Sequence, residues 1–110
     1  MKLFIDTSNP DFAILELHEG KNIFQHKFKS KHNLSERLIG EIKKFLEKRK
    51  FKLTNLKKID VKSGPGYFSR LRSGVATANA LAYSLHLPQK LIHPIYNKSP
   101  NITLPKKRVS

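Results

Sequence analysis

The stretch SGPGYFSRLRSG, Ser63–Gly74, joins a short apolar run to a long run rich in alanine and leucine, and it carries three of the chain's five glycines. Glycine reaches backbone conformations that other residues avoid, and proline fixes φ, so this density of both predicts a sharp turn. The flanking runs are typical of a strand that ends at Val61 and a helix over Arg70–Leu85. The stretch therefore predicts a strand-to-helix turn, with Phe68 and Leu71 anchoring it in the core.

The rest of the chain predicts short strands and one further helix. Apolar residues at helical spacing predict a first helix that begins at an Asn33 N-cap and ends near Lys50. A tight hairpin turn is predicted at Glu19–Asn22, because glycine there separates two alternating runs. The predicted strands are Lys2–Asp6, Phe12–His18, Ile23–Lys29, Ile59–Val61 and Leu91–Tyr96.

The predicted element order is β-β-β-α-β-α-β, within a length of 110 residues that suits one domain. Three antiparallel strands followed by two right-handed crossovers indicate an α/β fold, a single ribonuclease H-like lobe of the kind that is duplicated in actin-like ATPases. We expect this domain to cover residues 1–96 and a basic, disordered tail to cover residues 97–110.

Charge is the strongest compositional signal. The chain has 22 Lys and Arg against 8 Asp and Glu, a formal net charge of +14, and all acidic residues lie at or before Asp60. Such an excess favours a polyanionic partner and predicts nucleic-acid contact through the basic surface, including Lys106–Arg108 in the tail. A solvated surface without any such contact is the equally weighted alternative.

The chain has no cysteine, so disulfide and thiolate chemistry are excluded and a reducing, cytoplasmic location is expected. The apolar N-terminal run is interrupted at Asp6, Asn9 and Pro10, which fits neither a signal peptide nor a membrane span.

The turn also resembles a family pattern. The string from Gly64 to Ala78 is similar to the sequence GPGSFTGLRIGVATAKGLA of the TsaB (YeaZ) family, which is needed to make threonylcarbamoyladenosine in tRNA. Phe4–Ser8 and Ser35–Leu38 also correspond to that family. Tyr67, Arg70 and Ser73 depart from its pattern, as does Leu34. The positions that match in the turn are Gly64, Pro65, Gly66, Phe68, Leu71, Arg72 and Gly74.

The resemblance implies a non-catalytic subunit that needs no cofactor, and it makes tRNA the nucleic acid expected to make weak contact with the basic surface. Family members dock through two helices onto the catalytic subunit TsaD, with the ATPase TsaE joining the pair, and self-dimerisation is expected when TsaD is absent. Small residues in the second helix agree with a close approach between helices. The residues expected to carry docking are Leu38, Ile42, Phe45, Val75, Ala78 and Ala82.

A nuclease or basic nucleic-acid-binding domain of the same fold is the competing hypothesis. Ribonuclease H-like nucleases hold two metal ions with carboxylates on the first strand, the first helix and the fourth strand. Asp6, Glu36 or Glu41, and Asp60 occupy those places in the predicted order, but no acidic residue follows Asp60. This hypothesis therefore has less support than the docking role.

The sequence contains two further candidate ligand sites. Asp6, Thr7 and Ser8 resemble the first phosphate loop of actin-like ATPases, although that fold encloses its nucleotide between two lobes. Arg70 and Arg72 would strengthen an incidental anion site at the start of the second helix. The histidines at 18, 26, 32, 86 and 93 have no metal-binding spacing, so no metal site is expected.

Overall fold

A computed structural model describes residues 1–93, and these form a four-stranded sheet with two α-helices. The element order confirms the predicted order as far as the second helix, and bounds agree within two residues. The elements are β1 (Lys2–Asp6), β2 (Phe12–Glu19), β3 (Asn22–Lys29), α1 (Leu34–Lys48), a short 3-10 helix (Leu53–Asn55), β4 (Lys58–Val61) and α2 (Phe68–Ser84).

The sheet is mixed, with strand order β3-β2-β1-β4. The first three strands form two antiparallel pairs, and β4 lies parallel to β1, with Leu3 opposite Ile59. A parallel pair requires a crossover, which α1 provides here. The topology therefore confirms the predicted α/β class and ribonuclease H-like architecture.

Both helices cover the same face of the sheet. Alternate residues of β1 and β2 are fully buried, as the two-residue period of a strand requires when one face is covered. They pack against the apolar side of α1 and α2 in one cluster. Burial of each large aliphatic side chain contributes about 1.5–3 kcal/mol to this core. Its fully buried members include Leu3, Ile5, Leu15, Leu17, Leu38, Ile42, Ile59 and Ala78.

The end of the chain differs from the sequence prediction where it is described. Residues 91–93 of the predicted last strand are not in a strand, and residues 94–96 and the tail from 97 lie outside the described part. Instead, the Gln89 side chain accepts from the Ile59 amide at 2.9 Å and donates to the Ile59 carbonyl at 2.8 Å. Gln89 thus occupies backbone groups on the outer edge of β4.

Two local expectations about turns are resolved by the structure. Gly20, in the predicted hairpin turn, has φ +62°, a conformation that glycine adopts without strain. Asn33 does precede α1, but its side chain does not cap the helix, because Asn33 Oδ1 accepts from the Ser30 hydroxyl instead. Among residues 1–93, neither helix has the length and apolar character needed to cross a bilayer.

Candidate functional site

The end of β1 and the start of α2 meet in a closely packed junction, which we define as Thr7, Ser8, Gly66, Arg70 and Gly74. A Cβ atom on Gly66 would lie 2.7 Å from the Ser8 Cβ, and one on Gly74 would lie 2.5 Å from the Thr7 Oγ1. A Cβ atom in a real protein does not approach another non-bonded heavy atom this closely. The two glycines are therefore required where the chain turns from strand to helix, and they allow α2 to approach the sheet.

The hydroxyl groups of the junction are used in internal hydrogen bonds. Thr7 is fully buried, and its hydroxyl donates to the Arg70 carbonyl at 2.7 Å. The Ser8 hydroxyl and amide both donate to Asp6 Oδ1, at 2.7 and 2.9 Å. The structure thus gives Asp6, Thr7 and Ser8 a packing role, and their resemblance to a phosphate loop remains a prediction about sequence.

Arg70 is 6% exposed and lies inside the junction. Its guanidinium donates to the carbonyls of Ser30 and Phe12, so it ties the start of α2 to the loop before α1 and to the start of β2. Its Nε has no partner among the described atoms. Desolvation lowers the pKa of Arg70, an effect that the charge of Asp11 partly opposes.

Two expectations about side chains at the start of α2 are wrong. The predicted contribution of Arg70 to a surface anion site is wrong, because its guanidinium is buried and faces backbone carbonyls. Leu71 does anchor the turn, but Phe68 does not, since its side chain is 53% exposed. The Arg72 guanidinium lies 5.4 Å from the centre of the Phe68 ring on the outer surface. The exposed Tyr67 beside them also departs from the family pattern.

The helix residues predicted to dock lie in the core. All six side chains are at most 7% exposed, and five of them, all but Ala82, belong to the apolar core cluster. In this packing the side chains are not accessible to a partner, so the exposed positions beside them are the ones available for contact, and docking through these helices stays a prediction. The six are Leu38, Ile42, Phe45, Val75, Ala78 and Ala82.

The outward side of the helix pair carries a shallow groove of about 340 Å³, which we call the outer groove. Across the helices, the Ser35 and Ser73 hydroxyls lie 2.6 Å apart. Further along α2, Ala80 is exposed and Tyr83 is 84% exposed. The groove is lined by Ser35, Ser69, Arg72, Ser73 and Ala76.

The carboxylates considered for a metal-dependent nuclease are not brought together. Asp60 forms an ion pair with Lys2, and Asp6 bonds to Ser8, both on the sheet face away from the helices. Glu41 lies on the helix-covered side, 2.9 Å from His26 Nε2. Within residues 1–93, no group of three histidine, cysteine or acidic residues is arranged to hold a metal ion.

Glu41 belongs to a cluster that joins α1 to β3. Its two oxygens contact His26 and Arg37, each at 2.9 Å, and the His26 ring stacks between Phe28 and Phe45. The hydrogen bond from His26 is the main cause that lowers the pKa of Glu41; Arg37 acts in the same direction, and burial opposes them. The i,i+4 spacing of Arg37 and Glu41 on one helix is a signal that could have found that pair. The contact with His26 has no such signal, since His26 and Glu41 are 15 residues apart.

A model of the family described as TsaD, tRNA N6-adenosine threonylcarbamoyltransferase, matches residues 26–97. The chain belongs to this family. This TsaD-family chain is also 36% identical over 86 residues to the tRNA threonylcarbamoyladenosine biosynthesis protein TsaB of Bacillus subtilis. This match covers 78% of the chain and 38% of that relative. The resemblance to TsaB is thereby confirmed.

Solved structures confirm the fold of this TsaD-family chain. YeaZ from Pseudomonas aeruginosa superposes with a TM-score of 0.73 at 22% identity, covering 84% of this chain and 43% of YeaZ. A second Pseudomonas aeruginosa structure, described as an uncharacterized protein with similarity to peptidase YeaZ, gives a TM-score of 0.73 at 23% identity. That match covers 79% of this chain and 40% of the other. The chain therefore spans less than half the length of these relatives.

Proposed function

We propose that the chain is a non-catalytic partner subunit in the synthesis of threonylcarbamoyladenosine in tRNA. In this proposal it docks through the outward sides of α1 and α2 onto a TsaD-type catalytic subunit, with a TsaE-type ATPase joining the pair. The family match and the TsaB relative support the pathway. The observation that carries the docking role is the outer groove.

The outer groove has the properties of a helix docking surface. Its lining is dominated by serine and alanine, which allow another helix to approach closely. An exposed aromatic residue lies at each end of the outward side of α2, Phe68 at the start and Tyr83 at the end. Exposed aromatic side chains beside a groove are frequent anchors of protein interfaces. A second helix or helix pair is therefore the partner that this surface fits.

The carboxylate geometry favours the non-catalytic role over the nuclease hypothesis. A two-metal nuclease needs its acidic side chains within a few ångströms of one another, on one side of the sheet. Here Asp6 and Asp60 lie on the uncovered face, while Glu41 lies on the helix-covered face in contact with His26. The described carboxylates thus support no nuclease mechanism.

The proposal is tested by mixing the purified chain with the TsaD-type protein of the same organism and measuring complex formation by size-exclusion chromatography with light scattering. We expect a complex of one copy of each, and the same complex should retain a TsaE-type ATPase when it is added. A stable homodimer that does not yield to the TsaD-type protein, or two separate peaks, would contradict the docking role.

A matched pair of variants tests whether the contact lies on the helices. Tyr83→Ala removes an exposed side chain that makes no core contact, and we expect it to weaken the complex about tenfold. Ile23→Ala removes an exposed apolar side chain from β3, away from both helices, and should leave affinity unchanged. Circular dichroism confirms that both variants fold. Equal affinities for the two variants would place docking elsewhere.

A further inference from the structure

A charged surface lies at the end of α1 opposite the outer groove. Between residues 43 and 58 the chain has eight lysines and arginines and one acidic residue, Glu47. We call this segment the basic end. All eight cationic side chains are exposed. They are Lys43, Lys44, Lys48, Arg49, Lys50, Lys52, Lys57 and Lys58.

The fold gathers this segment into one surface. The Phe51 amide donates to the Leu46 carbonyl at 2.9 Å, so the chain folds back directly after α1. The Lys57 amide donates to the Met1 carbonyl at 2.8 Å, and Lys58 lies opposite Lys2 in the β1–β4 register. The end of α1, the loop after it and the start of β4 therefore expose their positive charges at one end of the molecule.

These charges are not neutralised by the described part of the chain. None of the eight takes part in an ion pair within residues 1–93. The ion pairs described there are Lys2–Asp60, one within β2, one between β3 and α1, one between the loops that precede β2 and α1, and one within α1. A helix C-terminus favours nearby cations, but Lys48 is the only basic residue in the last turn of α1. The helix dipole therefore accounts for only one of the eight positive charges of the basic end.

The basic end also contains a hollow of about 240 Å³. Its apolar lining is Leu46 with the half-buried Phe51 and Leu53, and its charged lining is the cations Lys43 and Lys52 with one carboxylate, Glu47. A planar base can enter such a hollow while the flanking phosphates contact the lysines, whereas the flat surface of a membrane cannot enter it. The combination favours single-stranded nucleic acid over an anionic bilayer.

We infer that the basic end binds the sugar-phosphate backbone of a single-stranded RNA segment. This inference rests on the proposed function, which makes tRNA the relevant nucleic acid, and it assigns the contact to a surface separate from the docking helices. Since α1 has 15 residues, its two ends are about 22 Å apart. The chain can therefore hold RNA at one end of α1 while a protein partner occupies the outer groove at the other.

The experiment compares two triple variants of the full chain with the same loss of charge. One is Lys48→Gln, Lys50→Gln and Lys57→Gln in the basic end, and the other is Lys29→Gln, Lys62→Gln and Lys90→Gln elsewhere. Fluorescence anisotropy with a labelled single-stranded RNA of mixed sequence gives Kd at several salt concentrations. We expect the first triple to weaken binding tenfold or more, on the order set by three lost phosphate contacts, and to reduce the salt slope by about 2.

The control triple should change Kd less than about threefold, through the long-range field alone. Equal losses in the two triples would show a bulk charge effect and overturn the assignment, as would tighter binding to vesicles of anionic phospholipid than to RNA. Failure of the unaltered chain to bind RNA would also overturn it. Complex formation of both triples with the TsaD-type protein is measured in parallel, so that loss of RNA binding is distinguished from failure of the proposed function.

Discussion

The two sides of α2 use small residues in different surroundings. On the inner side, Gly74 lies against Thr7 and Val61 so closely that a single methyl group has no room. On the outer side, Ala76 and Ala80 are exposed, and no described residue covers them. A small residue in a helix allows another segment to approach the helix closely, and on the inner side of α2 that segment is the stretch of this chain at Thr7, directly after β1. The outer approach is the one that we assign to a partner.

The largest effect is expected from Gly74→Ala, which tests how closely the inner side is packed. Alanine normally stabilises a helix relative to glycine by about 1 kcal/mol. Here the new Cβ would lie 2.5 Å from the Thr7 Oγ1 and 3.2 Å from the Thr7 Cγ2. We expect a net loss of about 2–3 kcal/mol in the free energy of unfolding, measured by urea denaturation.

The matched control for this change is Gly40→Ala on the exposed side of α1. A Cβ at Gly40 meets no atom within 4 Å, so only the helix propensity should act. The expected result is a gain of about 0.5–1 kcal/mol. In addition, Thr7→Ala should relieve part of the Gly74→Ala penalty in the double variant, because it removes the two closest atoms. Additive losses would contradict the proposed contact.

A somewhat smaller effect is expected from Arg70→Met, which compares the two arginines near the start of α2. The change leaves the carbonyls of Ser30 and Phe12 without their donor, and we expect a loss of about 2 kcal/mol in thermal or urea unfolding. Arg72→Met removes an exposed guanidinium that contacts only the surface of Phe68 among its described partners, and should change stability by less than about 0.5 kcal/mol. Similar losses for both would contradict the burial of Arg70.

The smallest stability effect concerns pH and the Glu41 cluster. Because the pKa of Glu41 is lowered in the folded chain, its contribution is fully present above the ordinary carboxyl pKa of about 4.3 and is lost as pH falls through the lowered value. Unfolding free energies measured by urea between pH 7 and pH 3 should therefore decline at the acidic end. Glu41→Gln should flatten this decline by at most about 1.4 kcal/mol per pH unit. Glu47→Gln, an exposed change on the same helix, should not alter it.

The sequence predicted the framework because its signals are local. Strand alternation, the glycine at the hairpin and the turn at Gly64–Gly66 depend on neighbouring residues, and the elements formed as expected up to the end of α2. The prediction that Phe68 anchors the turn is wrong, and Asn33 holds the predicted N-cap position of α1 without a side-chain hydrogen bond to the helix. A single sequence does not show which way a side chain near a helix start points. The Phe68 side chain lies on the surface, and the Asn33 side chain accepts from the Ser30 hydroxyl.

Long-range contacts were beyond the sequence for a different reason. The sequence shows Arg70 as a departure from the family pattern and as a candidate anion ligand, but not its carbonyl partners, which lie 40 and 58 residues away. The docking residues were assigned to the apolar positions of the helices, and those positions are the ones that fold into the core. The outer groove instead combines Ser35 and Ser73, which are 38 residues apart, so no local pattern relates the two.

The central claim is that the outer side of α2, and not its inner side, contacts the partner. Isothermal titration of the TsaD-type protein into the chain tests it with Ala76→Arg, which places a long side chain in the outer groove without touching the core. The control is Thr54→Arg, an exposed position at the other end of α1. We predict that Ala76→Arg weakens the complex at least about tenfold, whereas Thr54→Arg leaves its affinity unchanged. Neither variant should change the free energy of unfolding of the chain. Unaltered affinity for a folded Ala76→Arg variant would contradict the account.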